Sequence, residues 1–317
     1  MMKIQIKSDK FEELLEKHWE WFKAHINDRE NKPNKKNQKI IPKIKDILNT
    51  LSLGNTVEDL KPIIIAKKKD CLDYIKIYKG KISNSKEILD FFSYDDWSKK
   101  YGDWNAYKFI QELGIRVCPY CNRNNIDYSE VENGKLITRS PFDHFFPKSE
   151  YPYLSCSLFN LIPCCNTCNS AKRAKDTVEE NIIYPYEEEF GEDGKFRLKY
   201  NGEELDEKTM DIIRRIFKNC VVQLQSSGGL ENSINESKDT FRLEDIYSQE
   251  QNFIQDLLDK IYMYSENLDR AKLIGLTEKM FFALFFNLPR DENKIYSYQK
   301  ITMDIIEQCA PDLKNIS

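Results

Sequence analysis

Two Cys-x-x-Cys pairs, Cys118-Pro-Tyr-Cys121 and Cys165-Asn-Thr-Cys168, stand 44 residues apart in a chain of 317. A CxxC turn aims two thiolates at one point. Two such turns together supply the four sulfur ligands of a tetrahedral zinc ion with no open position, the arrangement of a structural rather than a catalytic site. This constrains the fold more than any other feature, because it pins two turns that are distant in sequence to a single atom. A redox CxxC would not require the second pair. Cys164 abuts Cys165 and is an alternative ligand. Cys165 is preferred because it keeps the two-residue gap, and Cys156 is a more remote substitute.

The other cysteines fit this reading. Six of the nine lie between Cys118 and Cys168, while Cys71, Cys220 and Cys309 are scattered along segments that read as helical. The scattered three are expected to be ordinary buried cysteines. Clustered thiols without a disulfide pattern suit a reducing compartment. The opening run already carries Asp9, Glu12, Glu13 and Glu16, which is not the composition of a secretory leader, so a cytoplasmic location is expected. The longest apolar stretches, Pro62 to Ala66 and Met280 to Leu288, fall short of the ~20 residues a membrane helix needs, so no membrane association is expected.

Most of the chain shows helical periodicity. Phe11, Leu14, Leu15, Trp19 and Phe22 recur at three-to-four spacing. Further helical patterns run from Pro42 towards Leu53 with Gly54 as a stop, from Pro62 to Tyr78 with Gly80 as a stop, and from Trp104 to Leu113, closing at Gly114. Asn31 to Lys39 reads as a linker. Asn125 to Arg139 reads as a β-hairpin around Asn133-Gly134, whose second strand leads towards Asp143-His144. Beyond Lys172, helices are expected over Asp206 to Leu224, Leu243 to Leu268, Glu278 to Phe286 and Tyr296 to Gln308, with polar loops at Ser226 to Gly229 and Glu231 to Ser237. Three regions follow: a helical 1–115, a cysteine-bearing 116–176 and an acidic helical 177–317. Residues 1–117 carry 24 Lys and Arg against 18 Asp and Glu, whereas residues 177–317 carry 17 against 28, so a polyanion should meet the first half of the chain.

Of the three histidines, His18 and His25 sit in the first helical pattern, where packing explains them. His144 differs. It follows Asp143, precedes Phe145-Phe146-Pro147-Lys148, and lies between the cysteine pairs.

Read together, Cys118-Pro-Tyr-Cys121, Asp143-His144-Phe-Phe-Pro-Lys-Ser149, Tyr151-Pro152, Asn160-Leu-Ile-Pro163, Cys165-Asn-Thr-Cys168-Asn169 and Lys172 resemble a zinc-containing HNH endonuclease. The nearest subgroup is the HNH proteins of bacterial anti-phage defence, such as the nuclease subunit of the Septu system. The motif covers about 55 residues, with weaker support from Tyr184-Pro-Tyr186, Phe190 and the stretch from Tyr247 to Lys260. The resemblance implies a mainly α fold around a small ββα-metal module stapled by a four-cysteine zinc site. It implies His144 as the base that activates water, which suits an imidazole near neutral pH. Asp143 and Asn169 become the oxygen ligands of Mg²⁺ or Mn²⁺, a pair that leaves coordination positions open for phosphate and water. Asn160 becomes a hydrogen-bonding residue that orients the loop and His144, with a simple loop or cap role as its alternative. Lys172, Lys148, Arg123 and Arg139 are candidate phosphate contacts or, equally, solvated surface cations.

The expected activity is hydrolysis of DNA phosphodiesters. RNA, including tRNA, is an alternative substrate, because the module reads backbone phosphate. A zinc-ribbon protein that binds nucleic acid without cutting is the alternative from another class, and it has no use for Asp143, His144, Asn160 and Asn169 in register. The modest basic excess leaves room for a partner, which the resemblance suggests is an ATPase subunit docking on the acidic C-terminal helices.

Overall fold

The apolar stripe that begins at Phe11 forms the helix α1 (Ser8–Asn31), which buries Leu14, Leu15, His18, Trp19, Phe22 and Ile26 along one face. Each large apolar side chain on that face contributes about 1.5–3 kcal/mol by leaving water. The computed structural model describes residues 1–6, 8–31, 43–82, 85–99, 102–131, 135–205, 220–291 and 294–316. The expected linker from residue 32 to Lys39, the Asn133-Gly134 turn and the segment 206–219 lie outside these residues. The described chain is mainly helical with three small sheets, and none of its helices is long and apolar enough to cross a membrane.

The chain forms two compact units, one of Ile4–Ile115 and Ile126–Glu180, the other of Met1–Lys3, Arg116–Asn125 and Asn181–Ser317. In the first, α1 is followed by α2 (Ile44–Thr50), α3 (Lys61–Ile64), α4 (Lys68–Tyr78), α5 (Lys86–Phe92), α6 (Tyr94–Trp97) and α7 (Ala106–Leu113). The helix expected from Pro42 stops earlier than Gly54, because Ser52 already takes a left-handed conformation with φ 51°. The single helix expected over Pro62–Tyr78 is broken after the β-branched run Ile63-Ile64-Ile65. Lys67 is extended there and starts α4 afresh, its N–H donating to Asp70. The stretch ending at Gly114 folds as read. Asn105 caps α7 by accepting from the Tyr107 and Lys108 N–H groups, and Gly114 closes it at φ 67°.

Strands β1 (Tyr128–Val131) and β2 (Lys135–Arg139) pair antiparallel as the expected hairpin. The strand carrying Asp143 and His144 is a separate one. β3 (Phe142–His144) pairs antiparallel with β4 (Leu161–Pro163), in the register Phe142 to Pro163, Asp143 to Ile162 and His144 to Leu161. The chain leaves β4 directly into α8 (Asn166–Lys172).

The second unit holds a sheet of order β6-β5-β7, built from β5 (Gly194–Tyr200), β6 (Glu203–Glu204) and β7 (Cys220–Ser226). Cys220 to Leu224 was expected to end a helix and is instead a strand. Cys220, Val222 and Leu224 alternate inward in the two-residue period of a half-buried strand. Glu231 to Ser237, expected as a loop, lies in α9 (Glu231–Phe241), followed by α10 (Leu243–Ser248), α11 (Gln251–Leu273), α12 (Glu278–Phe285) and α13 (Gln299–Cys309). Helix side chains complete both edges of the β5–β7 ribbon. Asp304 and Gln308 of α13 accept from the Phe196 and Leu198 N–H groups, while Ser248 and Glu244 of α10 accept from those of Val222 and Leu224. Otherwise unpaired strand edges are thereby satisfied.

Candidate metal centre and catalytic residues

Each CxxC turn is organised by its own backbone. In the second unit, the Cys118 N–H donates to Asn124 O and the Asn122 N–H to Cys118 O, while the Arg123 N–H points to Cys121 Sγ at 3.5 Å. Asn122 stands at φ 51°, and its side chain holds Tyr296 O and the Lys300 N–H. In the first unit, Cys165 caps α8, its Sγ accepting from the Cys168 N–H at 3.4 Å.

The sulfurs of Cys118, Cys121, Cys165 and Cys168 all lie within 4.8 Å of one another, and all four residues are buried. A zinc tetrahedron with Zn–S bonds of ~2.3 Å has edges of roughly 3.8 Å, so this buried four-thiol cluster fits a zinc ion. Cys165 rather than Cys164 joins it. The Cys164 thiol is not among the four clustered sulfurs, and burial pushes it well above the usual thiol range, with Asp143 adding to the shift.

Asp143 and His144 sit side by side on β3. Asp143 is buried and its Oδ1 meets Lys172 Nζ at 3.0 Å. The Lys172 ammonium also donates to His144 O at 2.8 Å, and the whole residue is buried. His144 is half-buried, its ring edge-on to Tyr94 with centroids 4.5 Å apart. Its Nε2 lies 2.9 Å from Ser155 O. A carbonyl only accepts, so Nε2 carries the proton and Nδ1 is left as the basic nitrogen. Burial pushes the imidazole down to about 3, with Lys148 and Lys172 adding to the shift, so the ring is neutral at pH 7.

Asn160 is fully buried and spans the loop between β3 and β4. Its Oδ1 accepts from the Phe146 N–H at 2.7 Å, and its Nδ2 donates to Phe146 O and Leu154 O. Its backbone carbonyl accepts from the Phe145 N–H. Phe145 and Phe146, which follow His144, and Leu154, which precedes its acceptor Ser155, are thus all tied to the residue just before β4. Asn169 is half-buried on α8, three residues before Lys172 and so on the same helical face.

The remaining candidate cations are held by the protein. Lys148 lies over the Tyr94 ring, 4.0 Å from Asp95. Arg123 pairs with Glu250 at 2.7 Å, and Arg139 donates to Ser140 O and Ser98 O while stacking on Tyr107 and Phe142. His18 is a core histidine, bonded to Cys156 O and to the Trp104 indole, and burial pushes it down to about 4. Sequence reading did not find Tyr94 or Ser155 as neighbours of His144. Ser155 acts through its carbonyl, which no residue type reveals, and Tyr94 comes from a helix of one turn.

A stretch of 92 residues, 28% of this chain, is 33% identical to the Septu protein PtuB of Bacillus thuringiensis and spans 30% of that protein's length. No family model matches the chain, and no solved structure matches it.

Proposed function

We propose that this protein is a Mg²⁺- or Mn²⁺-dependent HNH-type endonuclease that hydrolyses DNA in anti-phage defence. The observation that carries the proposal is the Asp143-His144 pair on β3. There a buried carboxylate already faces a cation, and the adjacent neutral imidazole has its Nε2 committed to Ser155 O. The succession β3, β4, α8 and the similarity to PtuB support the same reading. Asp143 and Asn169 are a hard-oxygen donor pair suited to Mg²⁺ or Mn²⁺. When bound, such an ion neutralises charge on the phosphate and the leaving oxygen. His144 Nδ1 takes the proton of the attacking water. Asn160 positions the loop that supplies the Ser155 carbonyl, which keeps His144 in the productive tautomer. The four thiols hold zinc and do no chemistry. By the same resemblance, an ATPase subunit is proposed as partner.

The test is to incubate the protein with DNA and, separately, with RNA, in Mg²⁺ or Mn²⁺, with and without the proposed ATPase partner. His144→Ala should lose cleavage by about 10²–10⁴-fold with its fold and nucleic-acid affinity retained. Cleavage at near the original rate would remove His144 from the mechanism, and cleavage of RNA alone would change the substrate.

A further inference from the structure

We propose that Lys172 is a stand-in cation: its ammonium occupies the Asp143 carboxylate and is displaced when a divalent ion binds there. The inference rests on the proposed nuclease reading, since it concerns the same carboxylate.

Asp143 is buried, and a buried carboxylate without a counter-charge is strongly disfavoured. Lys172 meets that need from α8, 29 residues further along the chain, with one N–H on Asp143 Oδ1 and another on His144 O. A lysine with no exposed surface is rare unless it is paired. The two contacts place a unit positive charge against the oxygen assigned to the metal and against the backbone of the residue assigned to water activation. The carboxylate thus has a counter-charge, and its strand end is fixed, before any metal arrives.

Two consequences follow. An incoming divalent ion must expel or crowd a unit positive charge only a few ångströms away, so the free protein binds metal weakly. Phosphate brings negative charge that offsets this crowding, so metal and nucleic acid bind with positive coupling. Once released from Asp143, the Lys172 ammonium stands at the metal site, where a phosphate is its natural partner.

The experiment measures Mn²⁺ binding to the free protein by titration calorimetry, for the original chain, Lys172→Met and Asp143→Asn, alongside Mn²⁺-dependent cleavage. Lys172→Met should bind Mn²⁺ roughly tenfold or more tightly, a modest demand for removing a unit charge at this range. Its thermal midpoint should also rise with added Mn²⁺ by more than that of the original chain. Equal or weaker Mn²⁺ binding by Lys172→Met would overturn the inference. Should that variant fail to fold, a second measurement on the original chain decides. Modification of Lys172 by an amine acetylating reagent, followed by mass spectrometry, should increase when Mn²⁺ is added, and an unchanged yield would overturn the proposal. A chain that cuts with Mn²⁺ but shows neither effect defeats the stand-in role alone. A chain that neither cuts nor loses Mn²⁺ binding in Asp143→Asn defeats the nuclease reading and the stand-in role with it.

Discussion

Each unit of the molecule buries a Lys–Asp pair, and the two pairs are built differently. In α13, Lys300 and Asp304 are four residues apart, and the ammonium meets both carboxylate oxygens, at 2.6 and 2.7 Å. Asp304 Oδ2 also accepts from the Phe196 N–H and so completes the edge of β5. In the first unit, Lys172 reaches Asp143 from another element, engages Oδ1, and gives a further donor to His144 O. Asp304 is thus tied to its own helix and to the sheet edge that it completes. Asp143 is held by a residue distant in sequence, and its neighbour along β3 is His144, whose backbone carbonyl shares the same ammonium. Burial of an ion pair is therefore no mark of function by itself. What distinguishes the two aspartates is the chemistry beside them.

The comparison rests on an intact thiol cluster, so its removal should have the largest effect. Elemental analysis should find about one zinc per chain. Cys118→Ser should cost a large part of an apparent zinc-binding energy of roughly 10 kcal/mol and leave protein that melts early or precipitates. Well-folded protein without zinc would break this expectation. The two aspartates should then part company. Asp304→Ala leaves Lys300 buried and unpaired, at a cost of about 3–5 kcal/mol in chemical denaturation, and divalent ions should give nothing back. Protein that remains folded should still cut. Asp143→Asn keeps the volume of the side chain and should do the opposite, with modest loss of stability and cleavage that no ordinary Mg²⁺ concentration restores. Asn169→Ala should share that defect. If Asp304→Ala abolishes cutting in protein shown to be folded, the contrast between the pairs collapses. Mild EDTA should sharpen it further by stopping cleavage while the zinc content stays constant, with Mg²⁺ or Mn²⁺ restoring activity. The smallest effect belongs to Arg123→Ala, which removes a partly buried pair with Glu250. About 1 kcal/mol of stability and an unchanged cleavage rate are expected.

The features legible in the sequence are those written in short local patterns. The cysteine spacing, the Asp143-His144 dipeptide between the pairs, the stripe of α1 and the Gly114 stop each need only a few neighbouring residues to be recognised. Features that depend on distant partners were hidden. β4 is three residues long and ends in Pro163, and it is a strand only because β3 lies beside it. β7 was read as the end of a helix because Val221, Val222 and Leu224 satisfy either period until the pairing with β5 selects one. α9 read as a loop because Ser233 and Ser237 are polar, yet both are buried, with Ser237 Oγ accepting from the Ile183 N–H. Lys172 read as a phosphate contact or, equally, a solvated surface lysine, whereas it is buried against Asp143, because nothing near it in sequence announces that partner.

Cys165 has two employments, as a member of the thiol cluster and as the cap of α8. Damage at this one sulfur therefore has two addresses. Alkylation or oxidation of Cys165 removes a thiol from the four-sulfur cluster and also uncovers the Cys168 N–H in the first turn of the helix that carries Asn169 and Lys172. The early melting expected of Cys118→Ser should therefore be joined, for Cys165, by faster amide exchange at residues 166–172, which records the loss of the cap.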